Sequence, residues 1–317
     1  MSHKTREDSS KADFSRPHLP PWLKKTISAE NKASEVDAIL RPLGIHTVCE
    51  EALCPNIWEC WGKKTATFMI LGDTCTRRCS FCGVKKGIPS LPDPREAERV
   101  AEAAARLGLK FVVVTSVTRD DLPDGGAKIF ADTISAIRDR IPECGVEVLV
   151  PDFRGDREAL KTVVGAKPDV LNHNVETIKR LYPSVRPGAR YERTLTLLKS
   201  VKEIDPDIVT KSGFMVGLGE CDEEVYGLLK DLKDSGCDIV TIGQYLRPSF
   251  RHHAVMRYVE PEVFKQYEKW GRDLGLRKVV AGPLVRSSYL AESYAFAHTN
   301  GQPATLIRPC GKSTCSC

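Results

Sequence analysis

Three cysteines at the spacing C-x3-C-x2-C are the residues of this sequence best suited to metal chemistry. They are Cys75, Cys79 and Cys82. Three thiolates can hold three irons of a four-iron cluster and leave the fourth iron open to a small molecule. A structural zinc site normally has four ligands, commonly in C-x2-C pairs, and this segment offers neither that spacing nor a nearby fourth ligand. The spacing therefore favours an iron–sulfur cluster.

A second cysteine triplet lies upstream, at the spacing C-x4-C-x5-C. Cys49, Cys54 and Cys60 precede the first predicted strand, so we expect them to build a separate site. Taken alone, they are also compatible with buried apolar thiols or with a zinc site that lacks one ligand. The chain shows no secretory signal pattern, so a disulfide framework is not expected. We predict a cytoplasmic protein that uses its cysteines for metal chemistry.

The composition limits the classes of partner. The 317 residues include 47 Lys and Arg against 42 Asp and Glu, a formal net charge of +5. The two signs alternate along the chain without a basic block, and no apolar run approaches the roughly 18 residues of a membrane-spanning helix. We therefore expect neither a nucleic acid nor a membrane as partner.

Seven short apolar runs alternate with amphipathic helical patterns from residue 66 onward. The predicted strands are 66–72, 111–117, 146–150, 170–171, 208–216, 239–242 and 279–285. This alternation predicts an α/β fold with parallel strands, either a barrel or an open doubly wound sheet. Polar clusters follow nearly every run, and in a (β/α) barrel these strand ends meet at one mouth. We therefore predict a partial TIM-like barrel.

The helix between the first two predicted strands has recognisable ends. Asp93 is the predicted N-cap, Glu96 completes a capping pattern, and Gly108 ends the helix. The cysteines at 75–82 therefore belong to the loop that joins the first strand to this helix.

The barrel is expected to carry extensions at both ends. We predict a flexible polar tail at 1–15, an N-terminal extension with the upstream triplet at 16–65, the barrel at 66–285 and a C-terminal extension at 286–317. Cys310, Cys315 and Cys317 fall in the last of these. They form either a mobile, oxidisable tail or a contact to iron.

The C-x3-C-x2-C loop after the first predicted strand resembles that of the radical S-adenosylmethionine enzymes. In that family the amino and carboxylate groups of S-adenosylmethionine chelate the open iron. One electron from the reduced cluster then cleaves the cofactor to a 5′-deoxyadenosyl radical, which removes hydrogen from an unactivated carbon. The resemblance implies cofactor contacts at Asn174 and Glu176, with Arg186 as a weaker candidate. Gly217 and Gly219, which follow the fifth strand, would allow close backbone approach to a ligand. Helix capping is an equal alternative for Asn174 and Glu176, and a plain turn for the glycines.

Arg77 and Arg78 lie inside the first triplet. Their positive charge would favour the reduced, more negative cluster and the carboxylate of the cofactor. We expect only one of the two side chains to point inward.

A longer resemblance, from about Pro20 to Tyr294, is to the lipoyl synthases. Both cysteine triplets carry it, together with Arg286-Ser-Ser-Tyr289 near the C-terminus. The segments 119–126, 173–177 and 244–248 also match. Three separate motifs in the right order make an accidental match very improbable.

The resemblance implies an auxiliary four-iron cluster that supplies sulfur. Its implied ligands are Cys49, Cys54, Cys60 and a serine of the Arg-Ser-Ser-Tyr motif. We assign that serine to Ser288 over Ser287, and we expect Arg286 to orient it or to meet the substrate. A serine oxygen is a hard ligand, so it should suit an iron that is later released better than a fourth thiolate. Without the resemblance, a helix N-cap would be the simpler role for both serines.

The implied reaction inserts sulfur at C6 and C8 of an octanoyl chain on a lysine of a carrier protein, and it consumes two S-adenosylmethionine molecules. The implied carriers are the E2 subunits of 2-oxoacid dehydrogenases and the H protein of glycine cleavage. A reducing donor such as ferredoxin or flavodoxin is a further implied partner. So is an iron–sulfur carrier that rebuilds the auxiliary cluster.

Two other functions share part of the pattern. A sulfur-inserting radical enzyme of the biotin synthase kind would have the first triplet but neither the upstream triplet nor the serine motif. A non-catalytic iron–sulfur redox sensor or nucleic-acid-binding protein would call for a basic face with aromatic residues, which the interleaved charges do not offer. The upstream triplet therefore favours a lipoyl synthase.

Overall fold

The computed structural model describes residues 19–24, 33–63, 65–289 and 291–295. Its strands are β1 His46–Thr47, β2 Thr67–Ile70, β3 Thr74–Cys75, β4 Lys85–Lys86, β5 Phe111–Ser116, β6 Gly145–Leu149, β7 Val170–Asn172, β8 Val209–Val216, β9 Ile239–Gln244 and β10 Lys278–Gly282. Eight of them form one sheet, and β3, which contains Cys75, pairs with β4 in a second, two-stranded sheet.

The strand order is that of a barrel wall. β1 pairs with β2 in antiparallel fashion, and from β2 onward each strand of the large sheet pairs in parallel with the next one along the chain. A doubly wound sheet would instead reverse its order at a switch point. Within the described residues β10 pairs only with β9, so the predicted α/β partial barrel is confirmed.

Helices alternate with the strands along the described part of the chain. They are α1 Ala33–Leu40, α2 Val48–Glu51, α3 Ile57–Gly62, α4 Glu96–Leu107, α5 Ala127–Arg140, α6 Arg157–Gly165, α7 Tyr182–Val185, α8 Tyr191–Ile204, α9 Asp222–Asp234, α10 Pro261–Asp273 and α11 Ala291–Ala295. Among these described helices, none combines the length and apolar character needed to cross a bilayer.

The two faces of β5 show where the core lies. Val112 and Val114 belong to the large apolar cluster formed with the outer helices. Phe111 and Val113, which alternate with them, cluster instead with Val170 and with Ala291 of α11. Successive side chains of a strand point to opposite faces. The second cluster therefore lies inside the barrel, where the C-terminal segment enters.

All seven predicted strands are present, with shifted ends. The last one ends at Gly282 and not at Val285, because Pro283 begins a turn. Strands β1, β3 and β4 were not predicted, since two residues are too few to show a periodic pattern.

The predicted start of α4 is wrong. The helix begins at Glu96, and Asp93 instead closes the preceding turn by accepting the N–H of Arg95 at 2.8 Å. The Glu96 carboxylate turns inward and accepts the N–H of Leu71 at 2.7 Å. A bond to a buried backbone group thus replaces the expected cap. The predicted end is confirmed, with Gly108 at a φ of 67°.

The N-terminal extension shares its core with the barrel. Val36, Leu40 and Trp61 belong to the same buried cluster as the inner residues of α4 and α5. The predicted tail at 1–15 and the cysteines at 310, 315 and 317 lie outside the described residues.

Candidate active site

The first cysteine triplet follows directly on β2. Cys75 ends β3, and its Sγ accepts the backbone N–H of Thr118 at 3.3 Å and that of Arg77 at 3.4 Å. Cys75 and Cys79 both act electrostatically on the thiol of Cys82. The loop therefore brings the three sulfur atoms into one neighbourhood, as the predicted cluster requires.

Burial keeps the thiols of Cys79 and Cys82 protonated in the absence of metal. It raises the pKa of Cys82 to about 12 and also raises that of Cys79. A buried thiolate is stable only beside a compensating positive charge, which iron supplies when it displaces the proton. Such cysteines suit a metal site and not a free nucleophile. No three Cys, His, Asp or Glu side chains of the described residues form a site for a single metal ion.

Three of the predicted cofactor residues border the first triplet. Beyond the effect of burial, Arg186 lowers and Glu176 raises the pKa of Cys79, so both charges lie close to this thiol. The Arg186 guanidinium donates to the carbonyl of Asn174 at 2.9 Å. Glu176 has a φ of 67° and bridges to β8 at Phe214, which turns the chain back toward the loop. The strand ends therefore place these groups together at the mouth.

The backbone conformation and the close neighbours of Gly217 explain why this position is a glycine. Its φ is 92°, and a Cβ there would lie 2.3 Å from the Gln244 side chain and 2.4 Å from the Arg257 carbonyl oxygen. The Glu220 carboxylate accepts the N–H groups of Gly217 and Leu218, at 2.5 and 2.9 Å. Gly219 also has a positive φ, 114°. A plain turn, the alternative considered for the glycines, is thus sufficient to explain Gly217, and a cofactor contact stays a prediction.

Only one of the two loop arginines points inward, as expected. Arg77 is buried and donates twice to Asp120, at 2.8 and 2.9 Å, and once to Asp152 at 2.5 Å. Arg78 is exposed. Asp120 and Asp152 fix the position of the Arg77 guanidinium, and its charge still acts on Cys79 in the direction that lowers the pKa of that thiol. The predicted effect of Arg77 on the cluster stays a prediction.

The upstream triplet and the serine motif meet at one cavity. Its volume is about 460 Å³, and its lining includes Cys49, Cys54, Cys60, Arg286 and Ser288. Three soft thiols and one hydroxyl thus face a common space, which is the donor set expected for the auxiliary cluster. Burial raises the pKa of Cys49 to about 11, so this thiol also needs a metal in order to ionise.

The cavity distinguishes the two serines. Ser288 is among its lining residues, whereas Ser287 is not. The hydroxyl of Ser287 instead accepts a hydrogen bond from the Asn174 side chain at 3.4 Å. Neighbouring residues of the motif therefore reach toward different sites, Ser288 toward the upstream triplet and Ser287 toward the barrel mouth.

Two strand glycines that the sequence analysis missed make room for this motif. A Cβ on Gly213 of β8 would lie 2.9 Å from Asn174 Oδ1 and 3.4 Å from Ser287 Cβ. A Cβ on Gly243 of β9 would lie 2.1 Å from the Val285 carbonyl oxygen. Glycine inside a strand pattern is itself a signal of close backbone approach, and it was available in the sequence.

Side chains tie the two segments of the auxiliary site together. The Asn56 amide donates to the Leu284 carbonyl at 2.7 Å, and the Tyr289 hydroxyl donates to the Glu59 carboxylate at 2.8 Å. Arg286 lies beside Cys54: burial lowers its pKa, and the Cys54 charge acts in the opposite direction. A guanidinium there balances the negative charge of bound thiolates.

A histidine turn also contacts the first triplet. His252 Nε2 lies 3.0 Å from the carbonyl oxygen of Cys82, and the N–H of His253 donates to the Ser80 carbonyl at 2.9 Å. The sequence pattern alone did not indicate these contacts, because they join residues about 170 positions apart.

Comparisons with known proteins agree with the geometry. The radical SAM superfamily pattern matches residues 69–232, and the N-terminal domain of lipoyl synthase matches residues 2–54. The lipoyl synthase of Caldanaerobacter subterraneus subsp. tengcongensis is 59% identical over 273 residues, covering 86% of this chain and 95% of that protein. The lipoyl synthase of Thermus thermophilus is 55% identical over 275 residues, covering 86% and 85%.

Solved structures show the fold. The FeFe-hydrogenase maturase HydG has a TM-score of 0.56 at 15% identity, covering 80% of this chain and 63% of HydG. Methylornithine synthase has a TM-score of 0.51 at 13% identity, covering 92% and 86%. At such low identity these likenesses concern the architecture alone.

High identity over most of both chains decides between the functions considered above. It confirms a sulfur-inserting radical enzyme that uses S-adenosylmethionine and four-iron clusters, and it sets aside the biotin synthase kind and the redox sensor. The chain belongs to the lipoyl synthase family within the radical S-adenosylmethionine superfamily.

Proposed function

We propose that this chain inserts two sulfur atoms, at C6 and C8, into an octanoyl chain held on a lysine of a lipoyl carrier domain. The observation that carries this proposal is the path from one cysteine triplet to the other. Cys79 neighbours Arg186 and Glu176, Arg186 bonds to Asn174, and Asn174 bonds to Ser287, next to the cavity of the upstream triplet. The two sets of thiols therefore border one barrel interior, the first triplet at the mouth and the upstream triplet near the N-terminal ends of β2 and β5.

Cys75, Cys79 and Cys82 are the proposed ligands of the cluster that binds S-adenosylmethionine. Bound there, the reduced cluster and its cofactor supply the abstraction of hydrogen from an unactivated carbon. The chain contributes position: Glu176, Asn174 and Arg186 present charge and hydrogen-bonding groups beside Cys79. Gly217 and Gly219 shape the turn that closes the same mouth.

Cys49, Cys54, Cys60 and Ser288 are the proposed ligands of the auxiliary cluster. Ser288 contributes a hard oxygen where the other three ligands are soft, which suits an iron that must leave during turnover. Arg286 balances the thiolate charge and is held by its own bond to the Val285 carbonyl at 2.7 Å.

The inner barrel wall offers an apolar surface for the acyl chain. Phe111 and Val113 line the same cavity as the upstream triplet. Aliphatic carbon is favoured against such side chains, and their packing excludes water from the reacting carbons. The octanoyl chain would therefore lie along this wall between the two sets of thiols.

The partners follow from the reaction. E2 subunits of 2-oxoacid dehydrogenases and the glycine cleavage H protein would present the octanoyl-lysine. A ferredoxin or flavodoxin would supply the electron, and an iron–sulfur carrier would rebuild the auxiliary cluster, all in the cytoplasm. In this organisation the extension at 16–65 and the segment from residue 286 close the auxiliary site around the barrel at 66–285.

Iron content and product mass test the proposal together. Anaerobically reconstituted protein should hold about eight irons, and Cys54→Ala about four, as two four-iron clusters require. With reductant and S-adenosylmethionine, an octanoyl-lysine peptide should gain two sulfur atoms in a single turnover. Saturation of the unmodified chain at about four irons, or no gain of mass on the peptide, would contradict the proposal.

A further inference from the structure

Residues 119–126 carry part of the family resemblance, and of these only Asp120, which binds Arg77, has entered the site described so far. They belong to the β5–α5 loop, which runs beside the loop of the first cysteine triplet. We propose that the segment 118–126 is a template that fixes the backbone around Cys75 and thereby sets the reduction potential of the cluster that Cys75 binds. This inference rests on the proposed assignment of Cys75 as a cluster ligand.

Thr76 joins the two loops. Its N–H donates to the Thr118 carbonyl at 3.0 Å, and its hydroxyl donates to the same oxygen at 2.9 Å. The same hydroxyl accepts the N–H of Asp120 at 3.1 Å. One side chain therefore fixes the peptide groups on both sides of Arg119.

Asp120 and Arg119 extend this contact to the rest of the cysteine loop. Asp120 holds the Arg77 guanidinium by two hydrogen bonds, a geometry that restrains orientation as well as distance. Arg119 is buried, is bound by Asp121, and donates to the Leu71 carbonyl at 3.2 Å. The template thus reaches both sides of Cys75.

Leu71 shows that the loop needs such support. Its φ is 69°, a conformation that a leucine rarely adopts, and its side chain is buried. Its N–H is held by Glu96 and its carbonyl by Arg119. A Cβ on Gly126 would lie 2.3 Å from Leu71 Cδ1, so the glycine at the end of the segment leaves space for this side chain.

The bond that matters for the chemistry runs from Thr118 to Cys75. The Thr118 N–H lies 3.3 Å from Cys75 Sγ. Hydrogen bonds to cluster sulfur stabilise the reduced, more negative state and so raise the reduction potential. Thr76 Oγ1 bonds to the Thr118 carbonyl and to the Asp120 N–H, the peptide groups that follow Thr118. It is a positioning residue for this hydrogen bond.

The test compares Thr76→Val with Thr76→Ser. Valine keeps the shape of threonine and removes the hydroxyl, whereas serine keeps the hydroxyl. Both are placed in the cluster-loaded Cys54→Ala protein, so that only one cluster is observed. The midpoint potential is then measured by an anaerobic redox titration followed by electron paramagnetic resonance. We expect the valine variant to shift to a more negative potential and the serine variant to match its parent.

Hydrogen exchange gives a second measurement on the same proteins. The Asp120 amide should exchange faster in Thr76→Val than in Thr76→Ser, because only valine removes its acceptor. If Thr76→Val does not load iron, Thr76→Ala removes the same hydroxyl without a large side chain. An unshifted potential in a loaded variant that lacks the hydroxyl would overturn the inference and leave the proposed function standing. No cluster signal in the Cys54→Ala parent would overturn the ligand assignment and the inference with it.

Discussion

The loop of the first triplet and the segment of the upstream triplet are held in place in different ways. Cys75 and its neighbours bond to the adjacent barrel loop through Thr118 and Asp120. The upstream cavity is closed instead by contacts between residues 228 and 230 positions apart, Asn56 to Leu284 and Glu59 to Tyr289. The site proposed to keep its cluster through every turnover is thus held by an adjacent barrel loop. The site proposed to give up its cluster is closed by a separate segment.

Replacing one ligand in each triplet should separate the two activities completely. Cys79→Ala should reduce S-adenosylmethionine cleavage to background, because the cluster that binds the cofactor loses a ligand. Cys54→Ala should retain cleavage and lose sulfur insertion. Release of 5′-deoxyadenosine and the mass of the peptide product measure the two steps. Equal loss of cleavage in both variants would remove the distinction between the two sites.

The two serines of the last motif form a matched pair. Ser288→Ala should lose most sulfur insertion and keep cleavage, because Ser288 lines the upstream cavity. Ser287→Ala should keep most of both activities, since Ser287 faces Asn174. The same two assays apply. The reverse result would show that Ser287 is the ligand.

Gly126→Ala tests how tightly the end of the segment 118–126 packs against Leu71, which precedes the loop of the first cysteine triplet. Both Gly126 and Gly108 have positive φ, but only at Gly126 would a Cβ meet a neighbouring side chain. The strain of the left-handed conformation costs about 1–2 kcal/mol at either position. The clash with Leu71 should add about 1–3 kcal/mol at Gly126. Urea denaturation measures the free energy of unfolding of Gly126→Ala and of the control Gly108→Ala. Equal losses of stability in the two variants would mean that Leu71 moves aside freely.

The smallest expected effect concerns the closure of the upstream site. Tyr289→Phe removes the hydrogen bond to Glu59, which should weaken closure by about 1 kcal/mol, or about fivefold. Single-turnover sulfur insertion should slow by that factor while cleavage is unchanged. Tyr226→Phe, at an exposed position on α9, serves as the control. If Tyr289→Phe slowed S-adenosylmethionine cleavage by the same factor, Tyr289 would act on the cleavage step and not on closure of the upstream cavity.

Distant partners explain what the sequence pattern could not predict. The pattern from Asp93 to Glu96 has the residues of a helix cap, yet Glu96 bonds to Leu71, 25 residues away. The sequence predicted that one loop arginine points inward, but it did not indicate that Asp120 and Asp152 would bind Arg77. In both cases a distant partner fixes the side chain, because burial makes an unpaired polar group costly.

The sequence alone determined the chemistry and the element order. Cysteine spacing indicates that each triplet can hold three irons of a four-iron cluster, and apolar periodicity indicates strands and helices. Both patterns depend on residues that are close together in the chain. The resemblance assigned Ser288 over Ser287, but only the tertiary structure shows Ser288 beside the upstream thiols and Ser287 beside Asn174, and only it placed Thr118 against Cys75. Those choices depend on strand glycines and buried hydrogen bonds between distant segments, and no local pattern records which segments will meet.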